Sequence, residues 1–157
     1  MKVAIIDADL IYRKNHRFPN FACMKISAYW KQQGADVELK LDYQNLSTYD
    51  LVSISKVFLD TVIPGEPPFR FMKNEKQIHD FYKNNRILNL SNVQYGGTGF
   101  YYDKAPKLPD EIEHIMPEYH LYDLWAQNQL ENGVKRRSLH IILIGLSVLQ
   151  QGVYQKV

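Results

Sequence analysis

The chain has 157 residues, 45% of them hydrophobic, 23% charged and 13% aromatic. That is the size and composition of one folded domain, able to bury about two-thirds of the surface its unfolded form exposes, and it excludes disorder of the whole chain. The net charge of +2 argues against an electrostatic nucleic-acid binder, and the single cysteine, Cys23, excludes both an internal disulfide and a cysteine-ligated cluster.

The first ten residues, MKVAIIDADL, are no signal peptide, because Asp7 and Asp9 break the apolar run. The other apolar run, Ile141–Leu149, is far shorter than the roughly 20 residues a membrane helix needs. The expectation is a cytoplasmic protein with neither a membrane nor a nucleic-acid partner.

Val3, Ala4, Ile5 and Ile6 form a continuous apolar run, the pattern of a strand buried on both faces. A polar loop around Asn15–Arg17 follows. Asn20 stands where a helix N-cap belongs; Ala22, Ile26, Tyr29 and Trp30 recur at helical spacing, and Gly34 supplies the stop. Val37, Leu39 and Leu41 alternate with Glu38 and Lys40, predicting a half-exposed strand. Leu51–Ser55 reads as a third, buried strand. A loop rich in proline occupies Val62–Phe69, and Asn74 caps a short helix carrying Ile78, Phe81 and Tyr82. Ile87–Leu90 reads as a fourth strand and Val93–Tyr95 as a fifth, ending at Gly96-Gly97-Thr98-Gly99.

From Pro106 the pattern changes. Leu108-Pro109-Asp110-Glu111 starts a short acidic turn of helix, and Tyr119–Glu131 reads as an amphipathic helix stopped by Gly133. The expected architecture is α/β: an open, mostly parallel sheet of about five strands over residues 1–103, a helical connector over 104–133 and a tail over 134–157.

Sheets of this kind bind ligands beyond the carboxyl ends of their strands. The candidate binding residues are therefore Asp7 and Asp9 after the first strand, Lys56 after the third, and Gly96, Gly97, Thr98 and Gly99 after the last. Asp7 and Asp9 can serve as turn caps or, in a receiver-like signalling domain, as magnesium ligands. A receiver also needs an aspartate ending its third strand, and Ser55-Lys56 stands there.

The Gly96–Gly99 stretch is not a dinucleotide fingerprint. It comes late in the chain and runs into Phe100-Tyr101-Tyr102 without a helix signal. Its glycines suit a backbone turn where a side chain would clash. His16, His79, His114, His120 and His140 show no metal-ligand spacing. No catalytic residue and no metal site emerges. The residues alone lead to a binding or accessory module.

Five segments carry a family resemblance: MKVAIIDADL; HRFPNFACMKISAYWKQQGADVEL; YDLVSISKVF; GGTGFYYDKAP; and LPDEIEHIMPEYHLYDLW. In order and content they resemble the N-terminal region of radical SAM proteins whose first domain is similar to a cobalamin-binding domain. The last two segments are the most specific. The resemblance implies a Rossmann-like (flavodoxin-like) accessory domain preceding a partial barrel. In that barrel a C-x-x-x-C-x-x-C loop binds a [4Fe–4S] cluster, and the cluster holds S-adenosylmethionine.

True cobalamin binders in this fold carry D-x-H-x-x-G after the first strand. Asp7-Ala8-Asp9-Leu10-Ile11-Tyr12 has neither the histidine nor the glycine. The expectation is no cofactor in this chain, with the missing barrel as its partner. Alternatives are a stand-alone cobalamin- or nucleotide-binding module and the receiver-like domain.

The family continues after its connector helix with a segment like YYTDYSIGFTTRGC-x-x-x-C, where this chain reads HIILIGLSVLQQGVYQKV. Allowed codons for Ile141–Val157, read from the third base of the Ile141 codon, give YTDWSIGFTTRGCIRK, and the leftover bases can begin another cysteine. Each shifted codon inherits two bases from one observed residue, so chance has little freedom to produce the motif. The expectation is a reading-frame slip near His140, with residues 141–157 out of frame and the parent enzyme truncated before its cluster loop.

Overall fold

A computed structural model describes residues 1–15, 18–67, 74–101 and 104–135. His16 and Arg17 of the first polar loop, and the out-of-frame reading of 141–157, lie outside the described residues.

Among the described residues the sheet has four strands: β1 (Lys2–Asp7), β2 (Asp36–Leu39), β3 (Leu51–Ser55) and β4 (Val93–Gly96). All neighbours are parallel, in the order β2-β1-β3-β4. The fold is therefore a parallel, open α/β sheet of the Rossmann-like kind. Helices α1 (Ala8–Tyr12), α2 (Phe21–Gln32), α3 (Glu75–Asn84), α4 (Thr98–Tyr101), α5 (Asp110–Glu113) and α6 (Asp123–Glu131) surround it, with 3₁₀ turns at Leu46–Thr48 and Tyr119–Tyr122.

Alternation along the central strands divides the core in two. Val3, Ile5 and Leu51 face one way, onto α2, the 3₁₀ turn at Tyr119–Tyr122 and α6 through Met24, Tyr122 and Trp125. Ala4, Ile6, Val52 and Ile54 face the other way, onto Ile78, Tyr82 and Phe100 of α3 and α4. Both faces being covered explains why β1 is apolar without interruption.

The fourth strand expected at Ile87–Leu90 does not form; those residues make turns. The reason is local. The Asn85 side chain accepts from the backbone N–H groups of Ile87 (2.9 Å) and Leu88 (3.2 Å) and donates to the Pro64 carbonyl (3.0 Å). The Asn89 amide donates to the carbonyls of Tyr82, Lys83 and Asn85 at the end of α3. These asparagines satisfy the backbone in a turn, and Ile87 and Leu88 pack into the core from it.

Two short helices also depart from the sequence expectation: α1 directly after β1, and α4 within the glycine-rich stretch. The expected Tyr119–Glu131 helix begins as the 3₁₀ turn before becoming α6.

The α2 helix forms where the sequence indicates, with the Asn20 side chain accepting from the Cys23 N–H at 3.3 Å. Its buried face is Cys23, Met24, Ser27 and Ala28, not the stripe of larger apolar residues. Three small side chains let the helix sit close on the sheet. Ala22, Ile26 and Trp30 instead flank a cavity described below.

Segment 104–134 straps over α2. Glu118 accepts from Ser27 Oγ and Lys31 Nζ, its N–H donates to the Met24 carbonyl at 3.1 Å, and Glu113 pairs with Lys25 at 3.0 Å.

Replacing Asn85, a buried residue, by alanine leaves two backbone donors and a carbonyl without partners. Asn85→Ala is expected to lower stability by about 1–3 kcal/mol, read as a lower urea midpoint with unchanged slope.

Candidate functional site

The strand order reverses between β1 and β3, and the carboxyl ends of β1, β3 and β4 form one edge where a ligand crevice would lie. All seven candidate residues stand along this edge. The structure shows each of Asp7, Asp9, Lys56, Gly97, Thr98 and Gly99 already engaged by neighbouring protein groups.

Asp7 caps α1: its Oδ1 accepts from the Leu10 N–H at 3.2 Å, and its Oδ2 accepts from the Tyr122 hydroxyl at 2.8 Å. That hydroxyl in turn accepts from the Asn20 N–H at 3.1 Å. The Asn20 amide donates to Ser55 Oγ at 2.9 Å. A hydrogen-bonded chain thus ties the end of β1, the start of α2, the end of β3 and the 3₁₀ turn before α6.

Asp9 faces inward too. Its carboxylate accepts from the Val57 N–H at 2.7 Å, the Phe58 N–H at 3.3 Å and the Thr61 hydroxyl, fixing the loop that leaves β3. Both aspartates are 1% exposed, and their oxygens accept from protein donors. Among the described residues no group of three or more His, Cys, Asp or Glu side chains could hold a metal ion.

Asp9 also occupies the histidine's place in D-x-H-x-x-G, and turned inward it presents no cobalt ligand. A four-iron cluster fits no better, since the one thiol, Cys23, is buried and its burial pushes its pKa well up.

Lys56 is wholly buried at 0% exposure. Its ammonium donates to both Glu66 oxygens, at 2.8 and 3.0 Å, and to the Tyr82 hydroxyl at 3.0 Å. It also lies 5.4 and 5.3 Å from the ring centroids of Tyr82 and Phe100. Glu66 further accepts from the Ile63 N–H at 2.9 Å. Desolvation lowers the Lys56 pKa and the Glu66 carboxylate opposes that shift.

Gly97 and Gly99 owe their identity to the close approach of Lys56. Its N–H donates to the Gly96 carbonyl at 3.1 Å and its carbonyl accepts from the Gly99 N–H at 2.9 Å. A Cβ on Gly97, where φ is +108°, would sit 2.3 Å from the Lys56 oxygen, and one on Gly99 would sit 2.5 Å from Lys56 Cγ. Thr98 Oγ1 donates to the Val57 carbonyl at 2.7 Å. The stretch is a close backbone joint between β3 and β4 that leads into α4.

Beside this edge, on the α2 side of the sheet, lies a cavity of about 260 Å³. Its floor is Ser53, Ser55 and Gly96, and its walls include Ile26, Trp30 and Ile112. The same two strands present Val52, Ile54, Val93 and Tyr95 to the opposite face. Small residues on one face only are what keep the space open.

Sequence reasoning missed Glu66, Tyr82, Thr61 and Tyr122 as parts of this edge. Glu66 sits alone in a loop of prolines and apolar residues, and an isolated acid in such surroundings was the one available signal. Tyr43 was also missed. Its hydroxyl is buried without a hydrogen-bond partner among the described residues, and burial with the nearby charges of Asp7, Asp9 and Glu66 raises its pKa.

Compared with protein-family models, with curated proteins and with solved structures, the chain matches none.

Removing the ammonium alone strands a buried carboxylate. Lys56→Met should therefore cost about 3–5 kcal/mol, whereas Lys56→Met/Glu66→Gln, which leaves no uncompensated charge, should recover much of that loss in a urea titration.

Burial raises the pKa of Tyr122, with the carboxylate of Asp7 adding to the shift. The folded state therefore holds the phenolic proton beyond the pH near 10 at which an unfolded tyrosine loses it. Stability from this group is complete below that pH and falls as pH rises above it. Tyr122→Phe should lower stability by about 1–3 kcal/mol at neutral pH, by taking one donor from the buried Asp7 and leaving the Asn20 N–H without its acceptor, and should blunt the alkaline loss.

Proposed function

We propose that this chain is the N-terminal accessory domain of a radical SAM iron–sulfur enzyme and performs no radical chemistry itself. One observation supports the reading above the others. The five segments that carry the resemblance, spread from residue 1 to residue 125, are joined by one connected set of hydrogen bonds. Asp7 and Asn20 meet at Tyr122, Asn20 reaches Ser55, Asp9 holds Val57 and Phe58, and Gly99 and Thr98 hold Lys56 and Val57.

Segments that share one network are constrained together, as parts of a single domain would be. The role is to cover the mouth of the barrel or to help select the substrate. Iron–sulfur and S-adenosylmethionine chemistry belongs to the parent enzyme.

Two measurements test the proposal. Sequencing the gene beyond the His140 codon should reveal, in the shifted frame, the C-x-x-x-C-x-x-C loop; a frame without it sinks the assignment. Anaerobic reconstitution of this chain with iron and sulfide should yield no stable four-iron cluster, and the absorbance and iron content of a cluster-bearing product would contradict the proposal.

A second reading, a stand-alone ligand-binding module, is favoured by the cavity between α2 and the β3–β4 floor. It predicts a rise in melting temperature with hydroxocobalamin that Gly96→Val, by filling the cavity floor, abolishes. No rise removes the cobalamin form of it.

A further inference from the structure

A second depression, of about 510 Å³, lies on the face of the sheet away from α2, beside β4, the outermost strand among the described residues, and between α3 and α4. Its base is aromatic. Tyr82 and Phe100 meet at 5.1 Å with planes 70° apart, and Tyr95 lies 5.0 Å from Phe100. Tyr101 stacks on Tyr95 with planes 6° apart and centroids 6.1 Å apart. The base is held from beneath, because the Tyr82 hydroxyl is bonded to Lys56 and Glu66.

The rim is cationic. His79 and Lys83 stand on the exposed side of α3, and Lys104 is exposed among the other lining residues. No carboxylate lines the depression among the described residues. Asn89 directs its amide protons to the end of α3, which leaves its Oδ1 as an acceptor at the wall.

The volume falls within the roughly 300–1,000 Å³ of typical ligand pockets. An aromatic base with a cationic rim asks for a flat ring carrying a compact anion, since rings stack on tyrosine and ammonium groups pair with phosphate. The net charge of only +2 speaks against an extended polyanion.

We propose that this groove binds a mononucleotide, its base against Tyr95 and Tyr101 and its phosphate at Lys83 and Lys104. The proposal does not depend on the radical SAM assignment, because it uses neither the carboxyl edge nor the α2 cavity.

The test is titration of the full chain with AMP, adenosine and inorganic phosphate, followed by calorimetry and by amide chemical shifts. AMP should bind, with shifts centred on Lys83, Asn89 and Tyr95 and none at Ile26 or Ser55. Adenosine and phosphate should each bind about tenfold more weakly or worse, and Lys83→Gln/Lys104→Gln should weaken AMP by about tenfold or more. These lysines are exposed, so the variant should fold, which circular dichroism checks. Tyr101→Leu should weaken adenosine and AMP alike while leaving phosphate unchanged.

Absence of AMP binding overturns the proposal. So does phosphate or adenosine binding as tightly as AMP, or AMP binding that the lysine variant leaves intact. A ribo-oligonucleotide that binds far more tightly than AMP would likewise overturn it, in favour of a nucleic-acid surface.

Discussion

The buried ion pair between Lys56 and Glu66 is the constraint on which the carboxyl edge of this domain depends. An ammonium with no access to water is tolerable only when its charge and all its protons are matched, and here Glu66 and Tyr82 supply both. Meeting that demand draws the proline-rich loop onto the sheet through Glu66 and fixes α3 through Tyr82. The Lys56 backbone then governs the other side, where glycine is required at 97 and 99 because any side chain would strike it. One residue thereby joins β3, the loop after it, α3 and the β4–α4 turn.

A second set of bonds, centred on Tyr122, does the same for the opposite layer. Its hydroxyl lies between Asp7 and Asn20, so the late segment 104–134 is part of the packing of the first strand. Glu118 reinforces this by engaging Ser27, Lys31 and the Met24 carbonyl on α2.

The charged groups at the edge have little capacity left for chemistry. Asp7, Asp9 and Lys56 are buried and bonded to protein partners. Space for ligands lies on either side instead: an apolar cavity floored by serines and glycine against α2, and an aromatic groove rimmed by cations beyond β4.

The sequence by itself determined the elements whose signals are local. The apolar run of β1, the Asn20 and Asn74 caps with the helices they open, the short β2 and β3, and the parallel α/β class all follow from spacing and from residue type. It also located the edge, since Asp7, Asp9, Lys56 and Gly96–Gly99 do gather there. The tertiary structure alone decided what those residues do. Ile87–Leu90 has the composition of a strand, yet Asn85 and Asn89 turn it into loop by bonding backbone groups that a strand would offer to a neighbour. The partners of Lys56 and Asp7 lie 10 and 115 positions away, and no periodicity encodes a separation of that kind. Even the face of α2 was decided by packing, because small side chains permit the close approach to the sheet and the larger stripe is left to border a cavity.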